Sequence, residues 1–239
     1  MFTPYPNQAL LKKTAHTQLI ILIDPDKYNP GLLDIANKSK VACIFFGGSS
    51  LKKNTFAKVL KDIKSRTSIP VIIFPGDEKQ VSPLADGILM LSLLSGRNAE
   101  YLIGKHVNAA ARIKAANIPV IPTAYILVDG GKASTTQKIT KTTPLKRKKD
   151  IIHTVIAGEL LGKKLIYLEA GSGAKKTLDH KLIRAVKEHS SLPLIVGGGI
   201  DTTEKAALLI KAKPDYLVVG NALEKDPDFL TALNLLIRH

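Results

Sequence analysis

A chain of 239 residues at 45% hydrophobic content is long enough to bury a large core, and one α/β barrel over residues 1–239 accounts for it more simply than two small domains. Its one cysteine, Cys43, excludes an intramolecular disulfide and a Cys-rich zinc site, and the apolar run VACIFF around it marks a buried structural thiol. The net charge of +15 leaves three partners open: nucleic acid, an anionic membrane surface or a polyanionic small substrate.

The opening MFTPYPNQALLKK has no apolar run ahead of a small-residue cleavage site, and no later stretch gives about 18 uncharged apolar residues in a row. The expected location is therefore the cytoplasm, with at most peripheral contact to a membrane.

Short β-branched runs bounded by turn signals then recur in chain order, the pattern of buried parallel strands. They are QLIILID (18–24), ACIFFG (42–47), PVIIFP (70–75), GILMLS (87–92), VIPTAYILVD (120–129), KLIYLEA (164–170), PLIVGGG (193–199) and YLVVGN (216–221). Segments of helical periodicity lie between most of them: NTFAKVLKDIKSRT, AEYLIGKHVNAAARIKAAN, HTVIAGELLG and HKLIRAVKEHS. The interval between the third and fourth strands is too short for a full helix, so that unit is irregular. Strand and helix alternating in this way predict a modified (β/α)8 TIM barrel, with an open doubly wound sheet as the alternative.

Polar and glycine residues gather at the strand C-terminal ends: Asp24, Gly47-Gly48-Ser49, Pro75-Gly76-Asp77, Ser92, Asp129, Glu169, Gly198-Gly199 and Gly220-Asn221. In a barrel those ends form one mouth, where active sites are built. Gly198, Gly199, Gly220 and Asn221 on the last two strands suit a phosphate, because glycines let backbone N–H groups close on its oxygens. Asp201-Thr202-Thr203-Glu204 reads as the cap of the helix that follows. Asp24 opens DPDK, either as a helix cap or, with an oxygen from Ser49, as a holder of Mg²⁺, an ion that keeps waters and substrate phosphates as its other ligands. The six histidines show no metal-ligand spacing. Lys138 to Lys149, KITKTTPLKRKK, reads either as a solvated surface loop or as a contact for anions or a membrane.

In this order, LIDPDK, FFGGSS, YLEAGSGA, IVGGGI and VVGNAL resemble the geranylgeranylglyceryl phosphate synthase family, prenyltransferases on a modified TIM barrel, over nearly the whole chain. The resemblance implies Mg²⁺-dependent transfer of a geranylgeranyl or related group from a polyprenyl diphosphate to the 3-hydroxyl of sn-glycerol 1-phosphate, the first ether bond of a lipid. It places Mg²⁺ on Asp24 and Ser49, with Ser50 as the neighbouring candidate. It places the glycerol phosphate on Tyr167, Leu168, Glu169, Ala170, Gly171, Ser172, Gly173, Gly198, Gly199, Gly220 and Asn221, with Glu169 as the base. It further implies a homo-oligomer, dimer or hexamer. Leu22, where several members carry lysine, and Ala170-Gly171, where many carry an aromatic, match the family's second sequence group and imply a different anchoring of the phosphate.

Two rivals set the terms of the comparison. A sugar-phosphate isomerase or aldolase would share the glycines of strands 7 and 8, but a Schiff-base aldolase needs a lysine within a strand. The strand interiors here hold none. An RNA-binding protein would use the basic segment, yet 5% aromatics and no Trp leave few platforms for stacking bases. Nucleic acid is therefore not an expected partner.

Overall fold

Eight parallel strands pair in chain order, and the last closes on the first to form a barrel. The structure is a computed structural model and describes residues 10–48, 51 and 55–237. The strands are β1 (Gln18–Ile23), β2 (Val41–Phe46), β3 (Val71–Ile73), β4 (Gly87–Leu93), β5 (Val120–Leu127), β6 (Leu165–Glu169), β7 (Leu194–Gly197) and β8 (Tyr216–Val219). The helices are α1 (Pro30–Asn37), α2 (Phe56–Arg66), α3 (Lys105–Ala116), α4 (Thr135–Thr140), α5 (Lys148–Leu160), α6 (His180–His189), α7 (Thr203–Ile210), α8 (Asn221–Lys225) and α9 (Phe229–Ile237). The barrel predicted from the strand spacing is the one observed.

Side chains alternate across each strand, so each run feeds two separate cores. Ile20, Cys43, Phe45, Ile72, Tyr125 and Tyr167 belong to the set that fills the barrel. Leu19, Ile21, Ile44, Phe46, Ile166 and Leu168 join the set that packs under the helices. Burial pushes the Cys43 thiol up, away from reactivity, in keeping with a structural role. Near the top of the barrel filling, Phe45, Phe74, Tyr125 and Tyr167 form a ring cluster. Phe45 and Phe74 stack at 5.9 Å, and Tyr125 meets Tyr167 edge-on at 5.2 Å.

The irregular unit is confirmed between β3 and β4, where residues 74–86 hold no helix. Without a crossover helix there, the outer flank of β4 meets α3 across a gap. α3 itself opens through one wide turn, Glu100–Gly104, and ends where Asn117 turns left-handed at φ 50°.

Lys138 to Lys149, open in the sequence between a solvated loop and a contact for anions or a membrane, is partly helical and anchored to the barrel. Ser134 caps α4 by accepting from the Gln137 amide at 3.1 Å, Leu145 bridges to Val128 beside β5, and Arg147 starts α5. Sequence periodicity also began α5 at His153, five residues late by comparison with Lys148. The first turn, Lys148-Lys149-Asp150, carries no apolar residue to reveal the period, and an Arg147–Asp150 ion pair at 2.6 Å holds it instead.

Candidate active site

Glu169 ends β6 with its side chain turned into the mouth and only 7% of the residue exposed. Its oxygens are claimed from two directions. The Gly171 amide donates to Oε1 at 2.7 Å, and the Tyr167 hydroxyl donates to the carboxylate from two residues back on the same inward face. Burial pushes the carboxyl up from its ordinary 4.5 to about 6, while the Tyr167 and Gly171 hydrogen bonds pull the other way. Burial and the neighbouring carboxylate keep the Tyr125 and Tyr167 phenols well above their ordinary range, so both remain protonated. A carboxylate that titrates near neutrality, in a dry cleft open at one end, has the properties of a general base.

The glycines of β7 are explained by this carboxylate. A Cβ at Gly197 would lie 2.6 Å from the Tyr167 hydroxyl oxygen and 2.8 Å from Glu169 Oε2. One at Gly198 would lie 2.5 Å from Oε1 and 2.7 Å from the Gly171 nitrogen, at a φ of 90° that L side chains rarely adopt. The backbone of β7 therefore lies directly against this carboxylate, and no larger residue fits. Across the mouth, the Ser172 hydroxyl donates to Asn221 Oδ1 at 2.7 Å, which ties the β6 loop to the start of α8. α8 has no side-chain cap, whereas α7 is capped by Thr202, which accepts from the Lys205 amide at 3.3 Å, as the sequence predicted. Gly171, Gly173, Gly198, Gly199, Gly220 and Asn221 thus line one rim. Leu168 and Ala170 also belong to the layer beneath the helices, and the Ala170 Cβ would lie 3.0 Å from a Cβ at Gly198.

Asp24 stands at the end of β1 with its side chain 23% exposed. It does cap the following turn, accepting from the Asp26 amide on Oδ1 at 3.0 Å. Its other oxygen lies 4.0 Å from Lys27 Nζ, and Lys27 is drawn instead to Glu224 at 2.8 Å. A Cβ at Gly48 would come within 3.0 Å of Asp24 Oδ1, so the chain leading to residue 49 passes beside this carboxylate. Ser49 and Ser50 lie outside the described residues. No group of three or more His, Cys, Asp or Glu occurs among the described residues. The Asp24 carboxylate, partly exposed at a strand end, fits a hard cation that takes its remaining oxygens from phosphate and water.

Sequence reasoning missed Gln80. Its side chain is buried; Nε2 donates to the Gly48 carbonyl at 2.8 Å, and Oε1 accepts from the Gly76 amide at 3.3 Å. It clamps the loops after β2 and β3 together, and nothing in DEKQVS announces that role.

Beside the mouth, the gap left by the missing helix forms an apolar groove. Phe74, Val81, Met90, Tyr101, Ile113 and Tyr125 are among its lining residues. Glu78 on the β3–β4 loop and Lys105 on α3 face each other across it at 2.6 Å. α4 touches both regions. Thr136, Ile139 and Thr140 line the groove, while a Cβ at Gly171 would lie 2.7 Å from the Ser134 Cβ.

The PcrB family model matches residues 12–235. A Chitinophaga pinensis protein named geranylgeranylglyceryl phosphate synthase is 46% identical over 88% of this chain and 86% of its own. A Flavobacterium johnsoniae protein of the same name is 44% identical over 91% and 92%. Among solved structures, the Thermoplasma acidophilum (S)-3-O-geranylgeranylglyceryl phosphate synthase, in complex with its substrate sn-glycerol-1-phosphate, superposes with a TM-score of 0.87 at 32% identity, covering 94% of this chain and 93% of that one.

Proposed function

The chain belongs to the PcrB family, and from that membership and the geometry of its mouth we infer that it is a prenyltransferase joining a polyprenyl diphosphate to the 3-hydroxyl of sn-glycerol 1-phosphate. One observation carries this reading: a buried carboxylate raised to about 6, Glu169, lies against the bare backbone at Gly171 and Gly198, and Tyr125, whose ring meets Tyr167, lines the neighbouring apolar groove. Few other reactions need a phosphate cradle, a base and a long apolar slot within one mouth.

The phosphate lies against the amides of the Gly171–Gly173 and Gly198–Gly199 turns, which brings the 3-hydroxyl to Glu169. The polyprenyl tail lies along the groove with its diphosphate toward Asp24. As the bond from prenyl C1 to the diphosphate oxygen breaks, the glycerol oxygen forms the ether bond to C1 and its proton passes to Glu169. Diphosphate leaves with the electron pair. Tyr167 and the Gly171 amide hold the carboxylate in position for that transfer. Asp24, with Ser49, would hold Mg²⁺, whose charge offsets that of the diphosphate.

The exposed Leu160 and Leu161 at the end of α5 supply an apolar patch for self-association into a homo-oligomer. Incubation with radiolabelled sn-glycerol 1-phosphate, Mg²⁺ and prenyl diphosphates of several lengths, followed by organic extraction, tests the reaction. Label that stays in the aqueous phase with every prenyl donor would refute it.

A further inference from the structure

The strap that joins β5 to α5 is fixed in place, yet it leaves strong like charges unpaired. Thr140 and Thr142 are buried, at 5% and 4% exposure. The Leu145 amide donates to the Leu127 carbonyl at 2.9 Å, and the Asp129 amide donates to the Leu145 carbonyl at 3.0 Å. These anchors turn Lys138, Lys141, Lys146, Arg147, Lys148 and Lys149 outward. Lys146 pairs with Asp129 at 3.6 Å and Arg147 with Asp150. Among the described residues, Lys138, Lys141, Lys148 and Lys149 form no ion pair. Such an array repels itself and gains nothing from the rest of the fold.

An apolar residue sits among these cations. Ile139 is 40% exposed, its backbone carbonyl accepts from the Tyr101 hydroxyl at 3.4 Å, and it lines the apolar groove with Thr136 and Thr140. Cations surrounding an exposed isoleucine, at the edge of an apolar slot, match the two layers of an anionic bilayer surface: charged headgroups above, hydrocarbon below. A nucleic acid matches less well, because residues 134–150 contain no aromatic ring on which a base could stack.

We propose that the strap over residues 138–149 is the docking surface for an anionic lipid bilayer, with Ile139 at headgroup depth and the groove opening beside it. The proposal rests on the prenyltransferase reading, since a lipid-soluble donor and product are what the groove would exchange with the bilayer. No helix of the described residues is long and apolar enough to cross a membrane, so this contact is peripheral.

Flotation of the full chain with phosphatidylcholine vesicles, with and without phosphatidylglycerol, tests it. Binding should require the anionic lipid and fall steeply with added salt. Each well-placed cation near an anionic surface contributes about fivefold in partitioning. Replacing Lys138, Lys141, Lys148 and Lys149 together by Gln should therefore weaken binding by about 600-fold, leaving turnover of a short, water-soluble prenyl diphosphate in vesicle-free solution unchanged. Ile139→Ser, which keeps the charge, should weaken binding by about threefold. Equal binding to neutral and anionic vesicles, wild-type flotation of the Gln variant, or tighter retention on single-stranded RNA than on anionic vesicles at the same salt would each overturn the proposal. Absence of turnover in a protein that still floats with anionic vesicles would count against the prenyltransferase reading and leave the docking surface standing.

Discussion

The two sides of the mouth are built on opposite principles. Around β6 to β8 the chain is tight and polar: Glu169 is gripped by Tyr167 and the Gly171 amide, and the backbone at Gly197 and Gly198 lies where no Cβ fits. Around β3 to β5 a helix is missing, the walls are apolar, and the only ion pair across the groove among the described residues is Glu78–Lys105. The difference suits what each side is proposed to bind. A small phosphorylated alcohol is recognised by directional donors, which must be rigid to be useful. A hydrocarbon chain is recognised by area, which tolerates an open and adjustable slot.

The contrast breaks most sharply at Glu169. Glu169→Gln keeps the size and can still accept from the Gly171 amide, with the Tyr167 hydroxyl turning to accept from the new amide NH2, but it cannot take a proton, so turnover should fall ~10²- to 10⁴-fold. Stability should move the other way. A carboxyl raised from 4.5 to about 6 in the folded state destabilises the fold wherever it is ionised. That cost is fully present above about pH 6 and fades as the pH falls toward 4.5. The variant should accordingly gain about 1–2 kcal/mol at pH 8 and nothing at pH 4. Thermal unfolding at the two pH values checks this. A loss of stability at pH 8 would make Glu169 a support of the fold instead.

Gly198→Ala attacks the same side through the backbone. The added Cβ meets Glu169 Oε1 at a left-handed φ, so glycerol phosphate affinity should drop by about 10- to 100-fold, at a stability cost of about 1–3 kcal/mol. Binding of a non-reactive prenyl diphosphate analogue, measured by calorimetry on the same sample, should stay near wild type if the two sides are independent in construction.

On the apolar side, Lys105→Met removes a half-exposed ion pair worth at most about 1 kcal/mol. KM for the prenyl diphosphate should rise by about threefold or less, with kcat unchanged. A large fall in kcat would show that Lys105 serves the chemistry and not the wall.

The smallest effect is a shift in a pH profile. The wild-type rate should fall as the pH drops through about 6, where Glu169 becomes protonated. Tyr167→Phe deletes a hydrogen bond that lowers the Glu169 pKa, so the acid limb should move to higher pH while the alkaline side stays put. A limb that moves to lower pH would contradict the donor role of Tyr167.

How much of this was legible in the sequence depended on the type of signal. All eight strands announced themselves because parallel strands buried on both faces read as continuous β-branched runs. The glycine turns at residues 171–173 and 197–199 were legible as bare backbone at strand ends. Their closeness to Glu169, which explains Gly197 and Gly198, depends on register between β6 and β7 and could not be read from either strand alone. α4 escaped notice because TTQKIT is six residues long, too short for a period, and its anchors are threonines that look like surface residues. Gln80 escaped because its work is done entirely through long-range backbone partners. The capping role of Asp24 was legible, and it uses only one of the two carboxylate oxygens.

α4 lies against Gly171 through Ser134 and against the groove through Thr136, Ile139 and Thr140. With the two substrates placed as proposed, this one short helix is a party wall between them, and whatever either ligand does to its position is felt by the other. Thermodynamic linkage makes that influence mutual: the factor by which a bound prenyl diphosphate changes the affinity for glycerol phosphate must equal the factor in the reverse direction. The order in which the two substrates load is then a matter of kinetics and concentration, since neither route to the ternary complex can differ from the other in free energy.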